Sequence, residues 1–124
     1  MQQPRNLVLL QSDLGVTQSL IALLCSSFRS VRAARSYCDL QADLSEHGAD
    51  VVILDLEMAS ISEVGRLSRD FPGISIVCNH RLADEEMWTA TLNAGAADCC
   101  PSHDTRGMVQ AALGHAPPAH FLAA

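Results

Sequence analysis

A short apolar run that ends on an acid, Val51-Val52-Ile53-Leu54-Asp55, constrains the fold of this chain more than any other stretch. The run is too short for a solitary helix, and most of its residues are β-branched. A continuous apolar run of this length is typical of a strand buried on both faces, as in a parallel sheet. Asp55 then lies at the carboxyl end of that strand, where open α/β sheets bind their ligands.

Strand-like and helix-like stretches alternate five times along the chain. The predicted strands are 6–11, 30–34, 51–55, 74–78 and 98–100. The predicted helices are 16–28, 39–47, a helix from Ser60 or Ser62 to about Asp70, 84–94 and 104–113. This alternation predicts an α/β fold, with a parallel sheet, right-handed crossovers and helices on both faces. One domain is predicted over 1–116, and residues 117–124, which begin with Pro117-Pro118, are predicted as a tail or the start of a linker.

Composition narrows the class of protein. The formal charge is −6 and Lys and Arg form no stripe, which argues against nucleic-acid binding by this domain. The five cysteines have no disulfide or zinc spacing, and no secretory leader is recognisable, so a reducing, cytoplasmic setting is expected. No run approaches the roughly 18 apolar residues that a membrane span needs.

Three motifs together resemble one family. They are residues 49–58 (ADVVILDLEM), 92–98 (LNAGAAD) and 71–74 (FPGI). Over 6–113 the chain resembles a bacterial response-regulator receiver domain. The resemblance implies a flavodoxin-like (βα)5 fold, doubly wound around a five-stranded parallel sheet of order 2-1-3-4-5. It also implies that the chain is not an enzyme but a module of phosphorelay (two-component) signal transduction.

The resemblance assigns a role to Asp55. In receiver domains the aspartate that ends strand three accepts a phosphoryl group from a sensor histidine kinase, and Asp55 matches it. The family's Mg²⁺-binding acid pair aligns with Gln11 and Ser12, neither of which ionises. The remaining candidate Mg²⁺ ligands are Asp13, Asp55 and the backbone carbonyl of Glu57.

The other pocket positions also depart from the family. A gap-free count places His80 where the family has the Thr or Ser that ends strand four, whereas the apolar pattern places Cys78 or Asn79 there. Ser102 takes the place of the Lys that ends strand five, and Cys99 takes that of the aromatic switch residue. The loop after the acceptor is about three residues shorter than usual.

Because these charged groups are missing, phosphorylation of Asp55 is predicted to be impaired. The negative phosphoryl group would approach the negative carboxylate in a partly dry pocket without a cation to screen their repulsion. The sequence therefore favours a pseudo-receiver that acts by regulatory protein–protein interaction. The alternative is a working receiver, phosphorylated on Asp55, with Mg²⁺ held by Asp13. If His80 has the strand-four position, its imidazolium could form a proton-sensitive pair with Asp55; a tolerated polar pocket is the simpler interpretation.

Two other classes of protein share some of these features. A flavodoxin-like cofactor-binding protein has the same topology, and residues 12–17 faintly resemble its phosphate-binding loop. Asp13 would repel a phosphate there, and few aromatics are present to sandwich a flavin. Cys99, Cys100 and His103 suggest a metal or thiol site, but adjacent strand residues point to opposite faces and a buried structural role is favoured.

Trp88 lies on the predicted fourth helix. In receiver domains the face formed by helix four, strand five and helix five is the usual output and dimerisation surface. An exposed Trp88 would be an interface anchor there, whereas helix spacing equally allows it to pack on the sheet. The predicted partners are a sensor histidine kinase or another signalling protein, and a second copy through that face.

Overall fold

Strands and helices alternate throughout the computed structural model, which describes residues 5–114. The strands are β1 (Asn6–Leu10), β2 (Ser30–Ala33), β3 (Val51–Asp55), β4 (Ser75–His80) and β5 (Asp98–Pro101). The helices are α1 (Leu14–Leu24), α2 (Tyr37–Glu46), α3 (Ile61–Asp70), α4 (Glu85–Ala94) and α5 (Thr105–Ala112). The predicted tail over 117–124 and the predicted boundary at 116 lie outside the described residues.

The five strands form one parallel sheet in the order β2-β1-β3-β4-β5. The predicted α/β class and strand order are therefore confirmed. Every residue of β3 is buried, because β1 and β4 flank it and helices cover both faces. This explains the continuous apolar run in the sequence.

The core has one half on each face of the sheet. Val52 and Leu54 pack on one side with residues of α2 and α3, and Val51 and Ile53 pack on the other with residues of α1 and α5. Burying one large aliphatic side chain contributes about 1.5–3 kcal/mol before entropy is subtracted. The alternation along β3 thus secures helices to both faces at once.

Capping residues determine where the helices begin. Ser60 caps α3, accepting from the N–H of Glu63, whose carboxylate accepts from the N–H of Ser60 in return. Ser60 and Ser62 were both predicted as possible caps of this helix, and Ser60 is the residue that caps it. Ser36 caps α2, which therefore begins two residues before the predicted start at residue 39.

The carboxyl end of α4 depends on a glycine. Gly95 has a φ of 117°, and a Cβ there would collide with the side chain of Ser68. Glycine at this position both ends α4 and allows α3 to pack closely against it. Over residues 5–114, no helix is long and apolar enough to cross a membrane.

Candidate functional site

A pocket of about 370 Å³ opens at the carboxyl edge of the sheet. Parallel strands bring the residues after β1, β3, β4 and β5 to this edge, so side chains distant in sequence meet here. The pocket is lined by Gln11, Ser12, Asp13, Val16, Asp55, Glu57, Arg81, Ser102 and His103. Most of the predicted site residues are therefore brought together.

Asp55 lies at the base of this pocket and is 2 % exposed. Its Oδ2 accepts hydrogen bonds from the backbone N–H of Ser12 at 2.9 Å and from the Ser12 hydroxyl at 2.5 Å. Its Oδ1 accepts from the backbone N–H of Glu57 at 2.9 Å. Within residues 5–114, the hydrogen-bond donors that hold this buried carboxylate are all neutral, and it lies at the position predicted for the phosphoacceptor.

Three neutral polar side chains connect the ends of β1, β4 and β5. The amides of Gln11 and Asn79 bond each other reciprocally, with Nε2 to Oδ1 at 2.7 Å and Nδ2 to Oε1 at 3.0 Å. Asn79 also donates to the hydroxyl of Ser102 at 2.8 Å. We call these three residues the amide clasp. Asn79 is fully buried and is paired in register with Asp55 across β3 and β4.

His80 lies one residue further along β4. Its Nδ1 accepts the backbone N–H of Leu82 at 3.0 Å, and it does not line the pocket. Of the three positions left open at the end of strand four, Asn79 is the one that joins the network beside Asp55. Strand alternation explains this placement, because Asn79 points to the same face as Val77, and Cys78 and His80 point to the other.

Two of the three residues predicted to supply metal ligands, Asp13 and Glu57, have side chains that bond other partners. Asp13 is the N-cap of α1, where its Oδ1 accepts the N–H of Val16 at 3.1 Å. Glu57, whose backbone carbonyl was the predicted ligand, has a side chain that forms an ion pair with Arg81 at 3.0 Å. Within residues 5–114, no group of three or more His, Cys, Asp or Glu side chains is placed to hold a metal ion. Arg81 had no role in the sequence prediction, because an isolated basic residue in a loop carries no pattern.

The switch position and the other core thiols are buried. Cys78 and Cys99 pack on one side of the sheet and Cys100 packs on the other. Burial raises the pKa of Cys99 to about 11 and raises the pKa of Cys78 and Cys100 above the ordinary thiol value as well. Neutral buried thiols are poor nucleophiles and poor metal ligands, which fits a structural role.

Trp88 is half-buried on α4. Its ring packs against the core, and its indole N–H donates to Oδ1 of Asp98 at 3.0 Å. Asp98 is 1 % exposed and also accepts the N–H of Cys99 at 2.8 Å. The structure thus has Trp88 packing inward and tying α4 to the start of β5.

The fold is that of response-regulator receiver domains. The RcsB response regulator of Salmonella typhimurium superposes with a TM-score of 0.80 at 16% identity, over 96% of this chain and 65% of that chain. A receiver domain of a two-component response regulator from Bacteroides fragilis gives 0.77 at 21%, over 88% and 93%. A response regulator from Burkholderia pseudomallei, solved with a phosphorylated aspartic acid and a calcium ion, gives 0.74 at 14%, over 87% and 66%.

The chain therefore spans less than two thirds of the Salmonella and Burkholderia proteins. No family model matches the sequence, and no curated protein matches it either. At identities of 21% and below, these likenesses establish the fold.

Proposed function

We propose that this chain is a receiver-like module of bacterial two-component signalling that acts through protein–protein contacts, without the usual Mg²⁺-dependent aspartyl phosphate. The observation that carries the proposal is the bonding of Asp55. Its two carboxylate oxygens accept hydrogen bonds from Ser12 and Glu57, at the place where a receiver domain would use a cation.

The donor set at this edge is a poor fit for Mg²⁺. That ion prefers near-octahedral coordination by oxygens and usually takes one or two carboxylates. The Gln11 amide oxygen already accepts from Asn79, and Asp13 caps α1. Asp55 would have to exchange its bonds with Ser12 for a metal. These competing contacts support a pocket adapted to hold its carboxylate without a metal.

The pocket also has no lysine to approach an incoming phosphoryl group. Ser102 takes that position and accepts a hydrogen bond from Asn79. Arg81, the nearby cation that lines the pocket, is paired with Glu57. Each missing electrostatic contact costs about 3 kcal/mol of transition-state stabilisation, roughly a hundredfold in rate. Two such losses make transfer to Asp55 very slow.

The amide clasp links the ends of three strands at this edge. In the family that the fold resembles, the strand-four hydroxyl reports the arrival of a phosphoryl group. Here Asn79 is bonded to β1 through Gln11 and to the end of β5 through Ser102. These hydrogen bonds join the strand ends without a phosphoryl group, which supports a role that does not depend on phosphorylation.

The partner is a sensor histidine kinase or another signalling protein, and the module itself catalyses no reaction. All five cysteines are free thiols, which supports a cytoplasmic setting. The alternative is a working receiver with Mg²⁺ beside Asp55. It is favoured by one observation, that Asp13, Asp55 and Glu57 line the same pocket.

Small-molecule phosphorylation decides between the two. The protein and Asp55→Asn are incubated with acetyl phosphate and Mg²⁺ and examined by intact-mass spectrometry, beside a receiver domain that has the full acid pair. We expect the receiver control to gain a phosphoryl group and this protein to gain none. An adduct on this protein that disappears in Asp55→Asn would establish a working receiver and overturn the proposal.

A further inference from the structure

The imidazole of His80 holds the loop between β4 and α4. Its Nδ1 accepts the backbone N–H of Leu82 at 3.0 Å, and the backbone carbonyl of His80 accepts the N–H of Ala83 at 3.3 Å. An acceptor at Nδ1 requires the neutral ring, with its proton on Nε2. The sequence left open a proton-sensitive pair between His80 and Asp55, whereas in the structure the partner of the ring is the backbone of its own loop.

The same loop carries the cation of the pocket. Arg81 lies between His80 and Leu82 and donates from Nε to both carboxylate oxygens of Glu57 at 3.0 Å. This ion pair joins the loops that follow β3 and β4, and both of its residues line the pocket with Asp55. Because the Arg81 side chain is 71 % exposed, its position depends on Glu57 and on the path of the loop backbone.

Protonation of His80 removes the support that its ring gives to the loop. Histidine is the side chain that ordinarily changes its charge between about pH 5 and 8. A proton on Nδ1 turns the acceptor into a donor that faces the N–H of Leu82, so this hydrogen bond is lost. The imidazolium also places a second positive charge next to Arg81 in the chain, and like charges repel.

We propose that His80 is a pH-sensitive switch in this loop. Near neutral pH the unprotonated ring holds the loop and the pair of Arg81 with Glu57 in place, and in mild acid the protonated ring releases both. The inference rests on the proposed function for its purpose, because the surface that changes is the one beside Asp55 that a signalling partner contacts. Leu82, which is 72 % exposed in this loop, is the apolar side chain whose position changes.

Other charged groups at this edge of the sheet bear on the switch. Besides Arg81 they are Asp55 and Glu57 at the end of β3, His103 and Asp104 after β5, and Asp84, Glu85 and Glu86 at the start of α4. The carboxyl groups ordinarily titrate below the range of histidine. Asp84 and Asp104 cap α4 and α5, and Glu85 and Glu86 are exposed. His103 ordinarily titrates in the same range as His80, so a test must separate the two.

Amide hydrogen exchange of Leu82, corrected for the intrinsic effect of pH, tests the switch on the full chain. The variants are His80→Asn, whose side-chain oxygen can accept the same N–H without titrating, and His103→Asn. Since one neutral hydrogen bond is lost, we expect the protection factor of Leu82 to fall about fivefold from near pH 7.5 to near pH 5. The fall should occur in the natural protein and in His103→Asn, and it should be absent in His80→Asn.

Three results overturn the proposal. They are equal protection of Leu82 at both pH values in the natural protein, a fall that persists in His80→Asn, and a fall that disappears in His103→Asn. Circular dichroism at both pH values establishes that each variant is folded.

NMR of the ring and of Arg81 tests the two halves of the switch separately. Long-range ¹H–¹⁵N spectra at neutral pH should place the proton of His80 on Nε2, and a proton on Nδ1 overturns the proposal. The ¹H–¹⁵N nuclear Overhauser effect of the Arg81 Nε should fall in acid, and an equally ordered Arg81 overturns the coupling to the ion pair. No phosphodonor is used, so a failure here leaves the acetyl phosphate result unaffected.

Discussion

Ser12 donates two hydrogen bonds to the same oxygen of Asp55, from its backbone N–H at 2.9 Å and from its hydroxyl at 2.5 Å. Hydrogen bonds to an ionised group are roughly twice as strong as neutral ones. The carboxylate is 2 % exposed and would otherwise carry a large desolvation cost. Ser12, which aligns with an acid in receiver domains, here stabilises Asp55 by donating hydrogen bonds to it.

Replacing Ser12 by aspartate should create a dependence on divalent cations. The change removes a donor from Asp55 and adds a carboxylate beside it, and two close carboxylates repel each other. A bound cation relieves this repulsion. We expect Ser12→Asp to have a lower Tm than the natural protein without metal, and a Tm that rises when millimolar Mg²⁺ is added. Thermal denaturation at neutral pH measures both.

Ser12→Asn is the matched control, because it has nearly the same size as aspartate and no charge. Its Tm should not respond to Mg²⁺, and neither should that of the natural protein. A natural protein stabilised by Mg²⁺ as strongly as Ser12→Asp would show that Asp13, Asp55 and Glu57 already hold a cation. The poor fit argued for this donor set would then be wrong.

Asn79→Ala should destabilise the protein by about 2 kcal/mol. The change removes three side-chain hydrogen bonds from a fully buried position, two with Gln11 and one with Ser102. Urea unfolding followed by circular dichroism gives the loss. In a double-mutant cycle with Gln11→Ala, the coupling energy should be about 1 kcal/mol, because the two amides bond reciprocally. Strictly additive losses would mean that this pair contributes nothing to stability.

The fold was predictable because its signals are local and repeated. The run Val51–Asp55 and the alternation of strands and helices each depend on near neighbours in the sequence. The end of β4 was harder, since its apolar pattern stops at Cys78 while backbone pairing continues to His80. Sequence spacing therefore left three candidates for one pocket position, and only the register of Asn79 with Asp55 separates them.

The sequence indicated which residues line the pocket better than it indicated which hydrogen bonds they form. A carboxylate after a strand can bind a metal or cap the following helix, and the sequence is the same in both cases. Asp13 caps α1. The amide clasp spans 68 residues of sequence between Gln11 and Asn79, so no local pattern could indicate it. Such pairs depend on how the strand ends meet.

Trp88→Phe should lower stability by about 1–3 kcal/mol, because it leaves the buried carboxylate of Asp98 without the indole donor. Phenylalanine keeps most of the apolar contact, so the change isolates the hydrogen bond. Urea unfolding followed by circular dichroism is suitable, since the variant has no tryptophan fluorescence. Thr89→Ala, at the exposed neighbouring position, should lose far less. Equal losses would show that the indole N–H does not support Asp98.

Stability should fall in alkaline solution because of the buried thiols. Burial raises the pKa of Cys99 from 9.0 to about 11, and it raises those of Cys78 and Cys100 too. Above pH 9 the unfolded chain releases these protons while the folded chain retains them, so unfolding is favoured as the pH rises. The stabilisation is complete below pH 9. The contribution of Cys99 is lost progressively up to about pH 11.

Each such thiol should lower the free energy of unfolding by up to about 1.4 kcal/mol per pH unit in this range. Urea unfolding under reducing conditions at a series of alkaline pH values measures the slope. Cys99→Ala should have a shallower slope than the natural protein, because one of the shifted groups is gone. Cys25→Ala, which removes an exposed thiol instead of a buried one, is the matched control. If the free energy of unfolding falls with pH equally steeply in Cys99→Ala and in the natural protein, the core does not protect Cys99 from ionisation. The raised pKa of this thiol would then be wrong.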